Sequence, residues 1–213
     1  VWLFFLGIFC YVSTEQGTSI FMSTFLEQYH GVNPQTDGAQ AVSYFWGLMT
    51  AGCLVGMLLL KLIDSKRLLQ ISGVLTIVLL LSALFGSKGI ALIAFPAVGF
   101  SISMMYSIVF SLALNSASQH HGSFAGILCS AIVGGAGGPM IVSTIADATS
   151  LRTGMLFILV FVGFLTFIGF WARPLFNNKT VLENIMLAPE YVRCKEAKKL
   201  KTGKSKKQIH EEV

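Results

Sequence analysis

Six long apolar segments follow one another along the chain, and each is bounded by a short polar stretch. They lie at about residues 2–26, 42–63, 68–85, 90–114, 124–146 and 155–172. About 20 mostly apolar residues are enough to cross a bilayer as a helix. None of the segments alternates between apolar and polar positions as the strands of a membrane barrel do. The pattern therefore predicts six transmembrane helices joined by short loops, an all-α membrane fold.

Charge is scarce in these segments and crowded at one end of the chain. The 213 residues are 54% hydrophobic and only 12% charged, whereas soluble domains have about 25% charged residues. Of the 15 basic and 10 acidic side chains, nine basic and five acidic ones lie in residues 177–213. This composition excludes an ordinary soluble enzyme, a nucleic-acid-binding domain and a disulfide scaffold. It predicts a six-helix membrane domain over residues 1–174 and a basic, largely disordered tail over residues 175–213.

The positions of Lys and Arg predict the orientation in the membrane. Six spans place both chain ends on one side, and that side holds Lys66, Arg67, Arg173 and the basic tail. Basic residues favour the cytoplasmic side. We therefore expect a multi-pass protein of the plasma membrane or the bacterial inner membrane with a cytoplasmic C-terminus. The tail is either solvated or rests on anionic membrane lipid. Because Val1 is followed at once by apolar sequence, we also expect the chain to be part of a longer protein.

One carboxylate lies deep in an apolar segment. Glu15 stands about halfway along the first segment, and Tyr11, Glu15 and Thr18 are spaced to share one helix face, with Gln16 at its edge. A charge at this depth costs several kcal/mol unless it faces a bundle interior or water. The face suits a hydroxylated solute, since carboxylate and amide groups bind hydroxyls. The alternative is a polar clamp between helices without a ligand. We favour the solute, because a clamp rarely needs an acid.

The fourth segment contains a serine stripe. Ser103, Ser107 and Ser111 recur every four residues, and Tyr106 lies beside them. Such a stripe either lines a solute path or lets helices approach closely, and both interpretations remain open. The tyrosine favours a path slightly, because a large polar side chain does not improve close packing.

Two of the apolar segments contain glycine motifs. The fifth segment contains GGAGGP at residues 134–139, which indicates either an interrupted helix near a binding site or a closely packed hinge. Gly52 and Gly56 form a GxxxG pair in the second segment, for which helix packing is the better interpretation.

No motif indicates a metal, a cofactor or catalysis. The four cysteines match neither zinc nor redox spacings, and we expect them to be small packing residues. The four histidines lie outside the apolar segments, and the pair His120-His121 has no Cys, Asp or Glu nearby. No nucleophile elbow, zinc-binding helix or phosphate loop occurs. The sequence therefore predicts no metal site, no cofactor and no enzyme.

Four stretches together resemble a known family. They are FCYVSTEQG in the first segment, YFWGLMTAGCLVGMLLLKLID in the second, MYSIVFSLAL in the fourth and GSFAGILCSAIVGGAGGPMIVSTIAD in the fifth. Over about residues 4–150, their order and spacing resemble the C-terminal half of a major facilitator superfamily transporter. Within that superfamily the chain is similar to the fucose/glucose/galactose permease family of proton-coupled sugar symporters.

The resemblance implies helices seven to twelve of a twelve-helix protein, with alternating access around a cavity shared with a missing N-terminal six-helix half. Glu15 and Tyr106 match polar and aromatic positions near the family's sugar site, and the main proton-carrying acids belong to the absent half. The family often has Gly-Arg where this chain has Gly52-Cys53. It often has Tyr-Pro-Thr where this chain has Tyr106-Ser107-Ile108, which implies a straighter tenth helix and a different substrate.

The sequence therefore predicts a secondary active transporter fragment for a monosaccharide or similar hydroxylated solute. The predicted solute contacts are Glu15, Gln16, Tyr11 and Tyr106, supported by Ser103 and Ser107. The alternative is a non-transporting solute sensor or assembly subunit that acts through its basic tail.

Overall fold

The computed structural model describes residues 2–116 and 121–171, and within these ranges the chain is helical without strands. The α-helices are α1 (Trp2–His30), α2 (Ala39–Leu62), α3 (Ser65–Phe85), α4 (Lys88–Ile102), α5 (Met105–Asn115), α6 (His121–Ser130), α7 (Gly134–Ala148), α8 (Leu151–Leu156) and α9 (Ile158–Trp171). A π-helical turn, Pro34–Gly38, precedes α2, and a 3-10 turn, Ala131–Val133, precedes α7. The predicted all-α fold is confirmed. The predicted tail lies outside the described residues.

The helices form a bundle of six passes. The first three are α1, α2 and α3, the fourth combines α4 with α5, the fifth α6 with α7, and the sixth α8 with α9. In the described ranges, five stretches are long and apolar enough to cross a membrane: Pro34–Leu60, Ser65–Phe85, Lys88–Leu114, Ser123–Ala148 and Leu151–Trp171. The 29-residue helix α1 is not among them, because its centre reads STEQGTS.

Helix α1 is the centre of the bundle. It packs against α2, α4, α5, α7, α8 and α9. Its apolar side chains Ile8, Met22, Phe25 and Leu26 are completely buried. A helix that is surrounded by other helices can have a polar middle without exposing it to lipid hydrocarbon. The polar middle of α1 therefore lies inside the bundle, where several other helices surround it.

The loop after α1 is tightly built. Gly31 adopts a positive φ of 60°, a conformation that glycine reaches without steric cost. Asn33 then caps the π-helical turn, with its side-chain oxygen accepting from the Gln35 amide at 2.9 Å. The Ser23 hydroxyl of α1 donates to the Pro34 carbonyl at 3.3 Å. The polar stretch predicted as a loop therefore folds back onto its own helix and leads directly into α2.

The fourth pass is interrupted at Ser103 and Met104, between α4 and α5. The resemblance implied a straighter helix because no proline follows Tyr106, and the stretch Tyr106-Ser107-Ile108 lies within the continuous helix α5. The interruption comes before it. The Ser103 hydroxyl donates to the Phe100 carbonyl at 2.8 Å. The Cys53 thiol of α2 donates to the Ser103 carbonyl at 3.4 Å. Contacts from the side thus support this interruption.

Glycines set the close approach of two helix pairs. A Cβ at Gly52 would meet the Phe100 carbonyl and Ser103, and one at Gly56 would meet Met104. This GxxxG pair therefore packs α2 against the interrupted fourth pass, as the packing interpretation requires.

The glycine-rich sequence of the fifth pass packs in the same way. A Cβ at Gly134 would meet the backbone of Phe9, and one at Gly138 would meet Ser13. The Ser13 hydroxyl donates to the Gly134 carbonyl at 3.0 Å. Residues 134–139 remain helical, and the irregular turn lies just before them at Ala131–Val133. Both interpretations of GGAGGP therefore describe part of the structure: close packing inside the motif and an interruption beside it.

Candidate functional site

The carboxyl group of Glu15 lies within the bundle and is only half-buried. The Gln16 amide nitrogen lies 3.5 Å from the Oε1 atom of Glu15, and Tyr11 lies one helical turn earlier on the same face of α1. Tyr11 is buried, with 4% of its surface exposed, whereas Gln16 is half-buried like Glu15. Two of the three polar groups therefore remain partly exposed in the middle of α1.

Tyr106 of α5 extends this group of side chains across two passes. Its ring centroid lies 5.7 Å from that of Tyr11, with the rings tilted by 53°. On its other side the ring stacks on Phe110, with centroids 5.9 Å apart. Tyr106 is itself half-buried. The structure thus brings together four predicted site residues, namely Glu15, Gln16, Tyr11 and Tyr106.

Thr18 adds an unpartnered polar group on the same face of α1 as Tyr11 and Glu15. The threonine is fully buried, and its hydroxyl has no hydrogen-bond partner among the described residues. A buried hydroxyl without a partner costs about 1 to 3 kcal/mol. By contrast, the neighbouring Thr14 hydroxyl donates to the Cys10 carbonyl at 2.8 Å. The face below Glu15 therefore has unused hydrogen-bonding capacity.

The serine stripe divides into two parts. Ser103 is buried with 5% of its surface exposed, and its hydroxyl is used at the helix interruption. Ser107 and Ser111 are exposed. Ser107 directly follows Tyr106, whereas Ser103 contacts Cys53 of α2 and the Phe100 carbonyl of α4.

The cysteines differ from one another in environment. Cys10 is buried, as expected for a packing residue. Cys53 and Cys129 are exposed instead, and the Cys53 thiol donates to the Ser103 carbonyl at 3.4 Å. Cys194 lies outside the described residues.

The arrangement has the chemistry of a small polar binding site. The carboxylate of Glu15 accepts hydrogen bonds, the amide of Gln16 both donates and accepts, and the two tyrosines add hydroxyls and ring faces. Polar groups that fix orientation beside aromatic surface are typical of small-molecule sites. Within residues 2–116 and 121–171, no three metal-binding side chains cluster together.

Comparison with known proteins gives relatives for most of the chain. No protein-family model matches. A glucose/galactose transporter of Brucella abortus (biovar 1, strain 9-941) is 34% identical over 166 residues, which cover 77% of this chain and 40% of that protein. The same transporter from strain 2308 matches equally well. The chain thus spans about 40% of the length of the curated relatives it matches.

Solved structures match the fold. The chain superimposes on FucP, a major facilitator superfamily transporter crystallised in its outward conformation, with a TM-score of 0.75 and 18% identity. The match covers 80% of this chain and 42% of that one, and the Escherichia coli fucose:proton symporter FucP matches to the same extent. An apolar bundle of six passes agrees with the fold of one half of such a transporter. The chain therefore has the fold of one six-helix half of a major facilitator superfamily transporter, and over 77% of its length it is similar to glucose/galactose transporters.

Proposed function

We propose that this chain is the C-terminal half of a secondary active transporter for a sugar or similar small hydroxylated solute. The observation that supports this most is the half-buried Glu15 at the centre of the bundle, next to Gln16 and the Tyr11–Tyr106 ring pair. The sugar class agrees with the names of the relatives, which are glucose/galactose transporters. Their similarity favours a transporter over an enzyme.

The solute is held by complementary polar and apolar contacts. Glu15 accepts hydrogen bonds from solute hydroxyls, and the Gln16 amide binds one hydroxyl as donor or acceptor. The ring of Tyr106, half-exposed beside Tyr11, covers an apolar face of the solute. Ser107 supplies a further hydroxyl from α5. A pyranose needs this combination, since its rim is polar and its faces carry C–H groups.

Transport requires the six-helix half that precedes this one. The two halves rock around the bound solute, so that the binding site opens alternately to the two sides of the membrane. Proton coupling uses acids of the preceding half, and no cofactor takes part. The protein lies in the plasma membrane or the bacterial inner membrane, with the basic C-terminal tail in the cytoplasm next to anionic lipid.

The test is sugar uptake by the complete transporter with Glu15→Ala. We expect uptake of radiolabelled D-galactose or D-glucose to fall at least tenfold, while the amount of protein inserted in the membrane stays unchanged. Glu27→Ala is the matched control, because Glu27 is an exposed carboxylate near the end of the same helix and should leave uptake intact. Normal uptake by the Glu15 variant would exclude this residue from the site.

A further inference from the structure

The Arg152 side chain lies at one end of the bundle, among three aromatic rings. Its guanidinium carbon is between 4.4 and 5.8 Å from the ring centroids of Phe25, Tyr29 and Phe85. The Phe25 and Tyr29 rings are themselves stacked, with centroids 4.5 Å apart. These rings come from near the ends of α1 and α3, whereas Arg152 is the second residue of α8. The three rings thus form an aromatic cage around Arg152.

The aromatic cage covers the faces of the guanidinium but provides no acceptor for its N–H groups. Aromatic rings stack on the planar face of an arginine, whereas its N–H donors lie in the plane and suit the oxygens of a carboxylate or phosphate. The Nε atom of Arg152 is buried without a hydrogen-bond partner among the described residues. No carboxylate in that part of the chain forms an ion pair with the guanidinium. The charge of Arg152 is therefore left without an anionic partner.

A second nitrogen at this end of the bundle is also unused. The His30 ring lies 6.1 Å from the Phe25 ring, and the buried Nε2 atom of His30 has no partner within residues 2–116 and 121–171. Buried side-chain nitrogens and oxygens nearly always bond to protein, water or a ligand. Three such atoms lack a partner in these ranges, and two of them belong to Arg152 and His30. This concentration indicates that a polar group from outside the described residues completes the cage.

The position of the cage in the membrane indicates which group that is. Arg152 is the second residue of the apolar stretch Leu151–Trp171, and Phe85 is the last residue of the apolar stretch Ser65–Phe85. The ends of membrane-spanning helices lie where the hydrocarbon region meets the lipid head groups, and aromatic side chains are enriched at that level. The phosphate groups of phospholipids lie there too. A phosphate is thus the anion that the surroundings of Arg152 offer.

The exposed face of α3 leads to the cage. From position 71 to the end of α3 every exposed side chain is a large apolar one, namely Ile71, Val74, Leu75, Val78, Leu81 and Phe85. Their spacing places them on one side of the helix. A face without polar groups suits lipid acyl chains. Since Phe85 belongs both to this face and to the cage, acyl chains along α3 bring a lipid head group next to Arg152.

We propose that Arg152 and its aromatic cage bind the phosphate group of a membrane phospholipid, whose acyl chains lie along the exposed face of α3. The guanidinium donates in its plane to two phosphate oxygens, while the rings hold it in place. This lipid site is separate from the group around Glu15. The proposal therefore does not depend on the solute that the transporter carries.

The test measures how dioleoylphosphatidylglycerol stabilises the complete transporter in a neutral detergent. The phosphate is the one charged group of this lipid. Because a ligand of the folded protein raises its stability with concentration, thermal unfolding at increasing lipid gives the half-saturating concentration. Two further ligands separate the contributions: dioleoylglycerol has the same acyl chains without the phosphate, and inorganic phosphate has no chains.

We expect the phospholipid to raise the unfolding midpoint at least three times as much as dioleoylglycerol or inorganic phosphate does. Arg152→Gln should raise the half-saturating concentration at least fivefold, because glutamine keeps part of the aliphatic stem but has no charge. Lys88→Ala is the matched control, since Lys88 is an exposed basic residue at the start of α4, next to the end of α3. Its half-saturating concentration should stay within twofold of that of the unmodified transporter.

Three results would overturn the proposal. Equal half-saturating concentrations for the unmodified transporter and Arg152→Gln would mean that the guanidinium does not hold the lipid. Equal stabilisation by dioleoylglycerol would mean that the acyl chains alone bind, and equal stabilisation by inorganic phosphate would mean that the cage takes free phosphate. The comparison of the three ligands uses the unmodified transporter, so it does not depend on whether the Arg152 variant folds.

Discussion

The guanidinium carbon of Arg152 lies 4.4 Å from the centroid of the Tyr29 ring, although 123 residues separate the two. The backbone N–H of Arg152 also donates to the Tyr29 hydroxyl at 3.3 Å. The rings of Phe25 and Phe85 lie 5.8 and 5.6 Å from the same guanidinium carbon. Arg152 therefore connects the start of α8 with the ends of α1 and α3 through an aromatic cage.

Replacement of Arg152 should destabilise this end of the bundle. Arg152→Ala removes three cation–π contacts, and a partly desolvated contact of this kind contributes about 1 to 2 kcal/mol. We expect a lower midpoint of thermal unfolding for the complete transporter in detergent. Arg152→Lys should lose less, because an ammonium group keeps the charge but not the planar stacking of the guanidinium.

Lys88→Ala is the matched control for this experiment. Lys88 is the first residue of α4 and is exposed, so its removal should change stability by less than about 0.5 kcal/mol. Equal unfolding midpoints for the Arg152 and Lys88 variants would show that the cage adds no stability.

The helices could be predicted from the sequence because apolar runs and residue spacing are local features of the chain. Apolar runs of bilayer length predict α1 to α9 as six passes, and the spacing of Tyr11 and Glu15 predicts a shared face. The depth of Glu15 in an apolar run was enough to single it out, because an intramembrane acid requires a protein or water environment. The length of the apolar runs and the spacing of residues along a helix therefore predict the all-α fold and the polar face of α1 that contains Tyr11 and Glu15.

The remaining features depend on contacts between distant residues. No pattern in the sequence connects Arg152 to Tyr29. The interruption at Ser103 lacks a local glycine or proline, and its support from Cys53 comes from another pass. These contacts depend on how the helices pack against one another, and a local sequence pattern does not predict that packing.

Packing of α1 against α7 should be sensitive to a single methyl group. A Cβ at Gly138 would press on Ser13, so we expect Gly138→Ala to destabilise the folded transporter by about 1 to 3 kcal/mol, as overpacking commonly does. Gly163→Ala is the matched control, because a Cβ there meets nothing within 4 Å and alanine favours a helix. Thermal unfolding of both variants in one detergent is the measurement. A Gly138 variant as stable as the Gly163 variant would contradict the close approach.

A buried hydroxyl pair joins α3 to α4 and provides the last prediction. The Thr76 and Ser101 hydroxyls lie 2.7 Å apart, and either one can donate to the other. The hydroxyl that accepts donates its own proton to a carbonyl of its own helix, Ser72 at 2.8 Å from Thr76 or Val98 at 2.9 Å from Ser101. Both side chains are buried. Hydrogen bonds between membrane helices contribute about 0.6 kcal/mol on average and up to about 1.7.

A double-mutant cycle isolates this contribution. We expect Thr76→Val and Ser101→Ala to destabilise the transporter individually, and the double variant to lose less than the sum by about 0.5 to 1.5 kcal/mol. Ser82→Ala, combined with Ser101→Ala, is the control cycle, because the half-buried Ser82 donates to the Val78 carbonyl of its own helix and should show additive effects. Additivity in the Thr76–Ser101 cycle would mean that the two helices are held by packing alone. Coupling in that cycle but not in the control shows that the hydroxyl pair itself links α3 to the pass that supplies Tyr106.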